Sequence, residues 1–303
     1  MATPNNVVNY ATKYSREFDH MFRQNLVTAP LLRAANDERW INAQTVLISD
    51  LETQGLGSHD RGFGWNTREV KNNRTPYILE MDRDAEFFVD KADVDESNQD
   101  LAAANVTKKF MEDWVIPEVD AYRFSKLAKA AETRGAVKEE TLTKDNIYQR
   151  LVEMTNKLRK YGSGNVIGYL DSETMNALEM STYFGRNITV QNIAPGSALE
   201  TRIASINGIQ LVEVWDEGRM FDEFDFTTGF APTESAKKIN AMFVAKPAVI
   251  GTQKIESTYF FAPGQHTKGD GYLFQYRLYH DIFLLKNKKD AIAVSLEDGE
   301  AGA

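Results

Sequence analysis

The chain has 303 residues, of which 42% are hydrophobic and 26% charged, with a formal net charge of -9 and no cysteine. Such a composition belongs to a folded globular chain of one large domain or two ordinary ones. It excludes disulfides and thiolate metal sites, which fits a reducing cytoplasm, and it lacks the clustered Lys and Arg of a nucleic-acid binder.

No apolar run approaches the length of a membrane-spanning helix, and MATPNNVVNYATKYSREF has no basic region followed by an apolar stretch. Neither a transmembrane helix nor a secretory signal is expected. Residues 1–42 read as an arm. Tyr14, Phe18, Met21, Phe22 and Leu26 fall at helical spacing, enough for one amphipathic helix but too little to build a core.

Residues 43–53, AQTVLISDLET, predict a strand, and residues 75–90, TPYILEMDRDAEFFVD, its partner. Between them lies QGLGSHDRGFGWNTREVKNNR, rich in Gly, Asn and charge. A loop that long inside a domain is usually functional or disordered. A two-stranded ribbon with such a tip is marginal by itself, so it must lie on something.

Acid concentrates next: residues 80–100 hold nine acids against two bases. Within this stretch DKADVDESNQDL has Asp93, Asp95 and Ser97 alternating like the ligands of a calcium loop. That loop needs a glycine at its sixth position and a glutamate at its twelfth, and here these are Asn98 and Ala104. The spacing therefore predicts a solvated acidic connector and no metal.

A helix is expected over roughly Asp100 to Thr133. Val106, Phe110 and Trp114 repeat every four residues as a buried stripe, and Pro117 predicts a kink or restart. The run would be roughly 50 Å long, more than a small domain is wide. After Gly135 the texture is ordinary α/β. TKDNIYQRLVEMTNKLRKYG predicts a helix capped by Thr143, with Ile147, Leu151, Met154 and Leu158 on its apolar face and Gly162 at its end. NVIGYLD predicts a strand and SETMNALEMS a helix starting near Ser172. Asn207-Gly208 is a strong hairpin signal. The segments KINAMFVAKPAVIGTQKIESTYFFAP and GYLFQYRLYHDIFLLKNKKDAIAV are strand-rich, and SLEDGEAGA reads as a disordered tail.

Chemistry-bearing motifs are scarce. His20, His59, His266 and His280 lie far apart without a partner at ligand spacing, and HExxH, GxSxG and SxxK are absent. Gly162-x-Gly164 follows a helix and precedes a strand, the reverse of a dinucleotide site. The glycines of GLGSHDRGFG are followed by no Lys-Ser/Thr pair, so they form no P-loop. In EVWDEGRMFDEFD, the carboxylates of Asp216, Glu217, Asp222, Glu223 and Asp225 could supply an acid–base pair for a soluble hydrolase, against the plainer reading of acidic loops. No catalytic residue, cofactor or metal ligand is assigned. An arm, a loop-tipped ribbon and an oversized helix instead project surface that only burial against neighbours can cover.

At this point a resemblance enters. AEFFVDKADVDESNQDLAAANVTKKFMEDWVIPEVDAYRFSKLA resembles the ribbon-to-spine passage of tailed-bacteriophage major capsid proteins, the Hong Kong 97-type fold. The matching features are an aromatic-Val-Asp strand end, the acidic connector, an alanine-rich helix start, and P-E-x-D-A-Y-R followed by K-L-A. GYLFQYRLYHDIFLLKNKKDAIAV is similar to that family's closing pattern, and element order agrees over about residues 10–295. The resemblance implies an α+β fold with an N-terminal arm (1–42), an extended β-ribbon loop (43–96) and the spine helix of a peripheral domain (97–134). It further implies an α/β axial domain (135–240), strands returning through the peripheral domain to end in the axial domain (241–296), and a flexible tail (297–303).

The function implied is a structural, non-enzymatic major capsid subunit. Pentamers and hexamers of it would close an icosahedral shell around double-stranded DNA, which it would enclose without specific binding. Implied partners are further copies of itself, a separate scaffolding protein, a portal and decoration proteins, with no membrane. The resemblance further implies a virion assembled in the host bacterial cytoplasm. Leu56, Phe63 and Trp65 on the extended loop, with Phe18 and Phe22 on the arm, are the expected inter-subunit contacts. Some members cross-link through a loop lysine, but no motif around Lys71 matches and no cross-link is carried over. An encapsulin-type compartment shell with a protein cargo is the alternative on the same fold.

Overall fold

The computed structural model describes residues 26–32, 39–42, 44–59, 62, 65–96, 103–181, 205–288 and 290–299. The predicted arm helix, Phe18, Phe22, Phe63, Asn98 and Asp100 lie outside these residues, as does most of the tail.

Strands β1 (Arg39–Trp40), β2 (Thr45–Thr53) and β3 (Val70–Ile78) form an antiparallel ribbon in that order. The expected return strand over 75–90 is divided in two. Residues 75–78 finish β3, which starts earlier than expected because the largely polar Val70–Arg74 pairs with Ser49–Thr53 along the backbone ladder, with the Ser49 hydroxyl donating to Asn72 Oδ1 at 2.8 Å. The chain then switches sheets at Leu79 and Glu80: the Leu79 N–H donates to the Gln44 carbonyl and the Glu80 N–H to Asp281 Oδ2 at 3.0 Å. Strand β4 (Met81–Asp90) pairs elsewhere.

Three helices follow: α1 (Lys91–Glu96), α2 (Ala103–Phe110) and α3 (Ile116–Glu132), the last two joined by a π-helical turn, Met111–Val115. Residues 103–132 thus run as one helical body about 45 Å long. Pro117 sits within the first two positions of α3, where its missing N–H costs least. The restart expected at Pro117 is therefore a wide turn just before it. That turn also corrects the predicted stripe. One extra residue per turn rotates the faces, so Met111, Val115, Ile116 and Val119 are buried while Trp114 is 53% exposed.

The rest of the chain runs β5 (Val137–Glu139), α4 (Ile147–Leu158), β6 (Val166–Asp171), α5 (Ser172–Glu179), β7 (Ser205–Ile206), β8 (Ile209–Val214), β9 (Phe224–Asp225), β10 (Ala231–Pro232), β11 (Ile239–Ala245), β12 (Val249–Phe261), β13 (Gly271–Leu284) and β14 (Ile292–Leu296). A six-stranded mixed sheet has the order β5-β14-β11-β6-β8-β7, and a second sheet the order β12-β13-β4. The strand-rich stretch over 239–261 thus breaks at Lys246–Ala248 and serves both sheets. Strands β6 and β11 are buried at every position, as strands covered on both faces must be. The main core joins this sheet to Phe124 and Leu127 of α3, Ile147 and Leu151 of α4 and Leu178 of α5.

Local signals behave as their chemistry dictates. Asn207 (φ 51°) and Gly208 (φ 78°) turn the β7–β8 hairpin with the left-handed pair that such a turn needs. Gly162 (φ 86°) ends the short turn that follows α4. Thr143 does not cap α4. The cap residue is Asn146, whose side chain instead accepts the Thr143 N–H at 2.8 Å, and the Thr143 carbonyl accepts the N–H groups of Asn146 and Ile147. For α5 the cap is Asp171, one residue before Ser172, accepting the Thr174 N–H at 3.0 Å.

Gly168, at the centre of β6, shows how tightly the main core is packed. A Cβ there would lie 2.5 Å from Phe243 Cε1 and 2.9 Å from Leu211 Cδ2. Gly168→Ala is expected to cost about 1–3 kcal/mol by overpacking, seen as a lower urea midpoint at unchanged slope. An unshifted midpoint would mean slack that this packing does not show.

Candidate inter-subunit surface

The most exposed apolar side chains among the described residues include two at the ribbon tip. Leu56 is 105% exposed and Trp65 is 93% exposed. The tip has local order without a core: Asn66 Nδ2 donates to the Ser58 carbonyl at 2.7 Å, and the His59 and Trp65 rings lie 6.1 Å apart. The ribbon's base, in contrast, is anchored. Val46, Ile48, Tyr77 and Leu79 pack with Ile250, Tyr279 and Phe283 of the β12–β13 hairpin. The structure therefore places Leu56 and Trp65 in solvent at the end of a ribbon held at its base. Val70, Ile78 and Trp215 add exposed apolar surface that the sequence reading did not single out, and Trp114, expected there to be buried, adds more.

Behind this surface, buried charges tie the elements together. Asp120 of α3 is fully buried. Its Oδ1 accepts the Thr28 N–H at 3.1 Å and the Thr28 hydroxyl at 2.6 Å, while Oδ2 accepts the Val27 N–H at 3.1 Å and Arg219 Nη1 at 3.3 Å. Arg123 Nη1 donates to the same Thr28 hydroxyl at 2.9 Å. Burial pushes the Asp120 carboxyl up, against the pull of Thr28 and Arg123, and pushes the Arg123 guanidinium down to about 10.

A second hub centres on Asp281 of β13. It accepts from Lys126 Nζ at 2.7 Å, the Tyr122 hydroxyl at 3.1 Å and the N–H groups of Glu80 and Ile282. Burial raises its carboxyl, and Lys126 opposes the rise. His280 beside it is buried against the Tyr122 ring, and burial together with Arg123 and Lys126 holds it well below its ordinary value, hence neutral. Arg83 of β4 meets Glu118 of α3 at 2.8 Å and the carbonyls of Phe226 and Gly229.

The acidic stretch over 213–225 is absorbed in the same way. Asp216 accepts the Gly218 N–H and pairs with Arg219, and Asp222 accepts the Lys237 N–H. Glu223 pairs with Lys129 at 2.9 Å, and Asp225 binds the Thr227 hydroxyl and N–H. Hydrogen bonds from Lys129 and from Thr227 lower the carboxyls of Glu223 and Asp225, the wrong direction for a general acid. Glu217 joins Asp171 and Glu173 around Lys238, at 2.8–2.9 Å. Burial opposes the Lys238 charge, but hydrogen bonds to Glu173, Glu217 and Asp171 outweigh it and hold the ammonium above its ordinary value. These five carboxylates cap turns and pair with bases, and none is paired with another as an acid–base dyad.

The acidic stretch after β4 is not a loose connector at its start. Lys91–Glu96 is helical, and Asp90 Oδ1 caps it by accepting the Ala92 N–H at 2.8 Å. Asp93 lies in the first turn of this short helix rather than outside a helix. Alternate positions on a helix do not share a face, whereas a calcium loop needs its alternating ligands to converge. Among the described residues no group of three His, Asp or Glu side chains is placed to hold a metal ion. His266 Nε2 lies 2.8 Å from the Gly271 carbonyl within the β12–β13 turn. No helix among the described residues is long and apolar enough to cross a membrane.

The hubs around Asp120, Asp281 and Lys238 were missed by sequence reading. Their partners lie 92, 155 and 65 residues away. The one local signal was the spacing of Asp120, Arg123 and Lys126 along the expected helix.

No protein-family model matches the chain, and no curated protein does. Solved structures do. The chain is similar to the mature capsid subunit of bacteriophage PhiM1, with a TM-score of 0.56 and 11% identity over 84% of this chain and 82% of that one. It is similar to the capsid of cyanophage P-SCSP1u, with a TM-score of 0.57 and 10% identity over 84% and 83%. A virus-like particle from Pyrococcus furiosus matches with a TM-score of 0.51 and 11% identity over 94% and 99%. At such identities the likeness is one of fold. The chain has the α+β, Hong Kong 97-type architecture of capsid subunits.

Proposed function

We propose that this chain is the major capsid subunit of a tailed bacteriophage, a structural protein whose copies close an icosahedral shell around double-stranded DNA. The observation that carries the reading is a capsid fold spanning over four-fifths of the chain, joined to a ribbon whose tip offers Leu56 and Trp65 exposed, with none of the described residues covering them. Phe63, Phe18 and Phe22 are assigned to the same contacts by their place in the sequence.

The two sheets support the division into domains. The spine helix with β4, β12 and β13 serves as the peripheral domain, and the six-stranded sheet with α4 and α5 as the axial domain. Residues 1–42 act as the arm and 43–96 as the extended loop, whose last strand, β4, returns into the peripheral sheet. The net charge of -9 suits a wall that encloses DNA without gripping its phosphates. A scaffolding protein, a portal and decoration proteins are the further partners, and assembly takes place in the host cytoplasm before the subunit ends in the virion. The likeness to the virus-like particle from Pyrococcus furiosus supports a shell of either kind, and a compartment that encloses protein cargo is the second reading.

Electron microscopy of the purified protein, with its scaffold where one is required, tests the proposal. Closed shells are expected, and nuclease-resistant DNA inside particles from infected cells separates the phage reading from the cargo reading. With no cysteine and no cross-linking motif, boiled denaturing gels should show one band at the chain mass of 34.3 kDa. A small discrete oligomer under all assembly conditions would overturn both readings.

A further inference from the structure

Lys129, Lys238 and Arg277 each meet a carboxylate of their own chain. Arg134, Lys246, Lys254, Lys286 and Lys288 meet none among the described residues, and they gather at the base of the ribbon. The Leu285 N–H donates to the Ala248 carbonyl, which sets the Lys246–Ala248 turn beside Lys286. Arg134 Nη1 donates to the Lys288 carbonyl at 2.9 Å, and Nη2 to those of Leu284 and Leu285. Lys286 Nζ lies 5.8 Å from the centre of the Tyr77 ring, and Lys254 Nζ 3.8 Å from that of Trp40. The ribbon register sets Trp40 and Tyr77 on either side of Val46 in one row, about 10 Å apart.

Two ammonium groups are thus held over neighbouring rings of one anchored surface. A ring face attracts a cation without neutralising it, so the charge stays available to a further partner. The acids closest in the chain are already engaged: Asp290 pairs with Lys160, and Glu80 and Asp281 pair with Lys126. The patch is therefore positive and uncompensated in a chain of net charge -9.

The complementary charge is on the same molecule. Residues 80–100 hold nine acids against two bases. Among the described residues, the exposed Asp84 and Asp93 form no ion pair, and Asp90 spends one oxygen on the Ala92 N–H. These acids do not meet Lys286 or Lys288 of their own subunit. Asp84 lies opposite Arg277 and Asp90 opposite Gly271, about 24 Å and 44 Å along β13 from Leu284, beyond which the basic turn begins. We infer that the patch receives the acidic segment Asp84–Asp93 of a second copy of this chain. The inference rests on the shell reading and adds where one of its contacts lies. Copies of an acidic chain repel one another at range, and contact is favoured where uncompensated cations of one face uncompensated acids of the next. The patch also sits at the base of the ribbon whose tip is proposed to lie on a neighbour.

A water-soluble carbodiimide joins an amine to a carboxylate only where the two touch. In assemblies mixed from heavy-nitrogen-labelled and unlabelled protein, it should link Lys286 or Lys288 of one chain to Asp84, Asp90 or Asp93 of an unlike chain. Absence of such links, while the same lysines are acetylated in free subunits, overturns the inference. Lys246→Gln, Lys286→Gln and Lys288→Gln together should leave the thermal midpoint of the unassembled subunit unchanged. They should raise the concentration needed for assembly about tenfold, since each exposed pair contributes about two- to fivefold, and should flatten its dependence on salt. Asp84→Asn with Asp93→Asn should do the same, and the two sets combined should be no worse than either, because both remove the same contacts. Assembly of the lysine variant at the ordinary concentration overturns the inference and leaves the shell reading standing. If its shells form normally but lose packaged DNA, the patch serves phosphates, which also overturns it. No shells from the intact chain would overturn the shell reading and this contact together.

Discussion

A chain in which residues 54–69 are replaced by Asn-Gly is expected to fold normally and to form no shells. Thr53 and Val70 are paired across the ribbon, so a two-residue turn of this type joins them without strain. The described residues of the replaced segment contribute nothing to the three buried clusters, and the ribbon's base stays packed on the β12–β13 hairpin. Circular dichroism and the thermal midpoint of the unassembled subunit should therefore be close to those of the intact chain.

Assembly behaves differently because Leu56 and Trp65 bury nothing until a neighbour covers them. Each such side chain is worth about 1.5–3 kcal/mol when fully buried, so losing the two weakens each contact by at least about 3 kcal/mol, on the order of a hundredfold in association. A closed shell repeats that loss at every subunit. Sedimentation should show free subunits or small oligomers, and Leu56→Ser with Trp65→Ser should reproduce the defect at full length. Normal shells from either variant would remove this tip from the interface.

Asp120→Ala has the largest expected effect on the folded subunit, a loss of about 3–5 kcal/mol. The substitution strips the N–H groups of Val27 and Thr28 of their acceptor and leaves the Arg123 charge buried without its counter-ion. Arg219 loses a second partner but keeps Asp216. Two physical terms compete here. Burial of the carboxylate is itself costly, and the sign of its shift shows this. A folded carboxyl raised above its unfolded value favours the protonated form, so its stabilising share is full below the unfolded value and fades as pH rises through the folded one.

The ion pair is therefore no large net gain over an apolar pair, while breaking it from one side is expensive. Asp120→Leu with Arg123→Leu should accordingly recover part of the loss seen in Asp120→Ala, leaving the cost of the two unsatisfied N–H groups. Thermal unfolding of unassembled subunits checks both variants. A change below about 1 kcal/mol in Asp120→Ala would show that the arm base does not depend on this carboxylate.

How much of the molecule was legible depended on how local each signal was. The Asn207-Gly208 turn, the stop at Gly162 and the apolar face of α4 all rest on backbone preference or periodicity over a few residues, and each stands where expected. The ribbon was legible as two strands and a tip, but its return strand was placed too late. VKNNR has little strand propensity, and it pairs because β2 offers a backbone ladder beside it. Thr143 was read as a cap from its chemistry and position, yet the helix begins after Asn146, because cap choice is settled by which turn precedes the helix.

By itself the sequence determined the order of elements, the long helical spine, the acid-rich stretches, the cysteine-free chemistry and an apolar ribbon tip with no local core to join. These follow from composition and short-range stereochemistry. Tertiary structure alone decided that β4 and β3 part company at Leu79, that β11 and β12 serve different sheets, and that the π-helical turn rotates Trp114 out of the core. It alone assembled the hubs around Asp120, Asp281 and Lys238. The physical reason is that strand pairing and buried ion pairs join residues scores of positions apart. Their partners are selected by desolvation and packing in the folded chain, and neither leaves a periodic trace in the sequence.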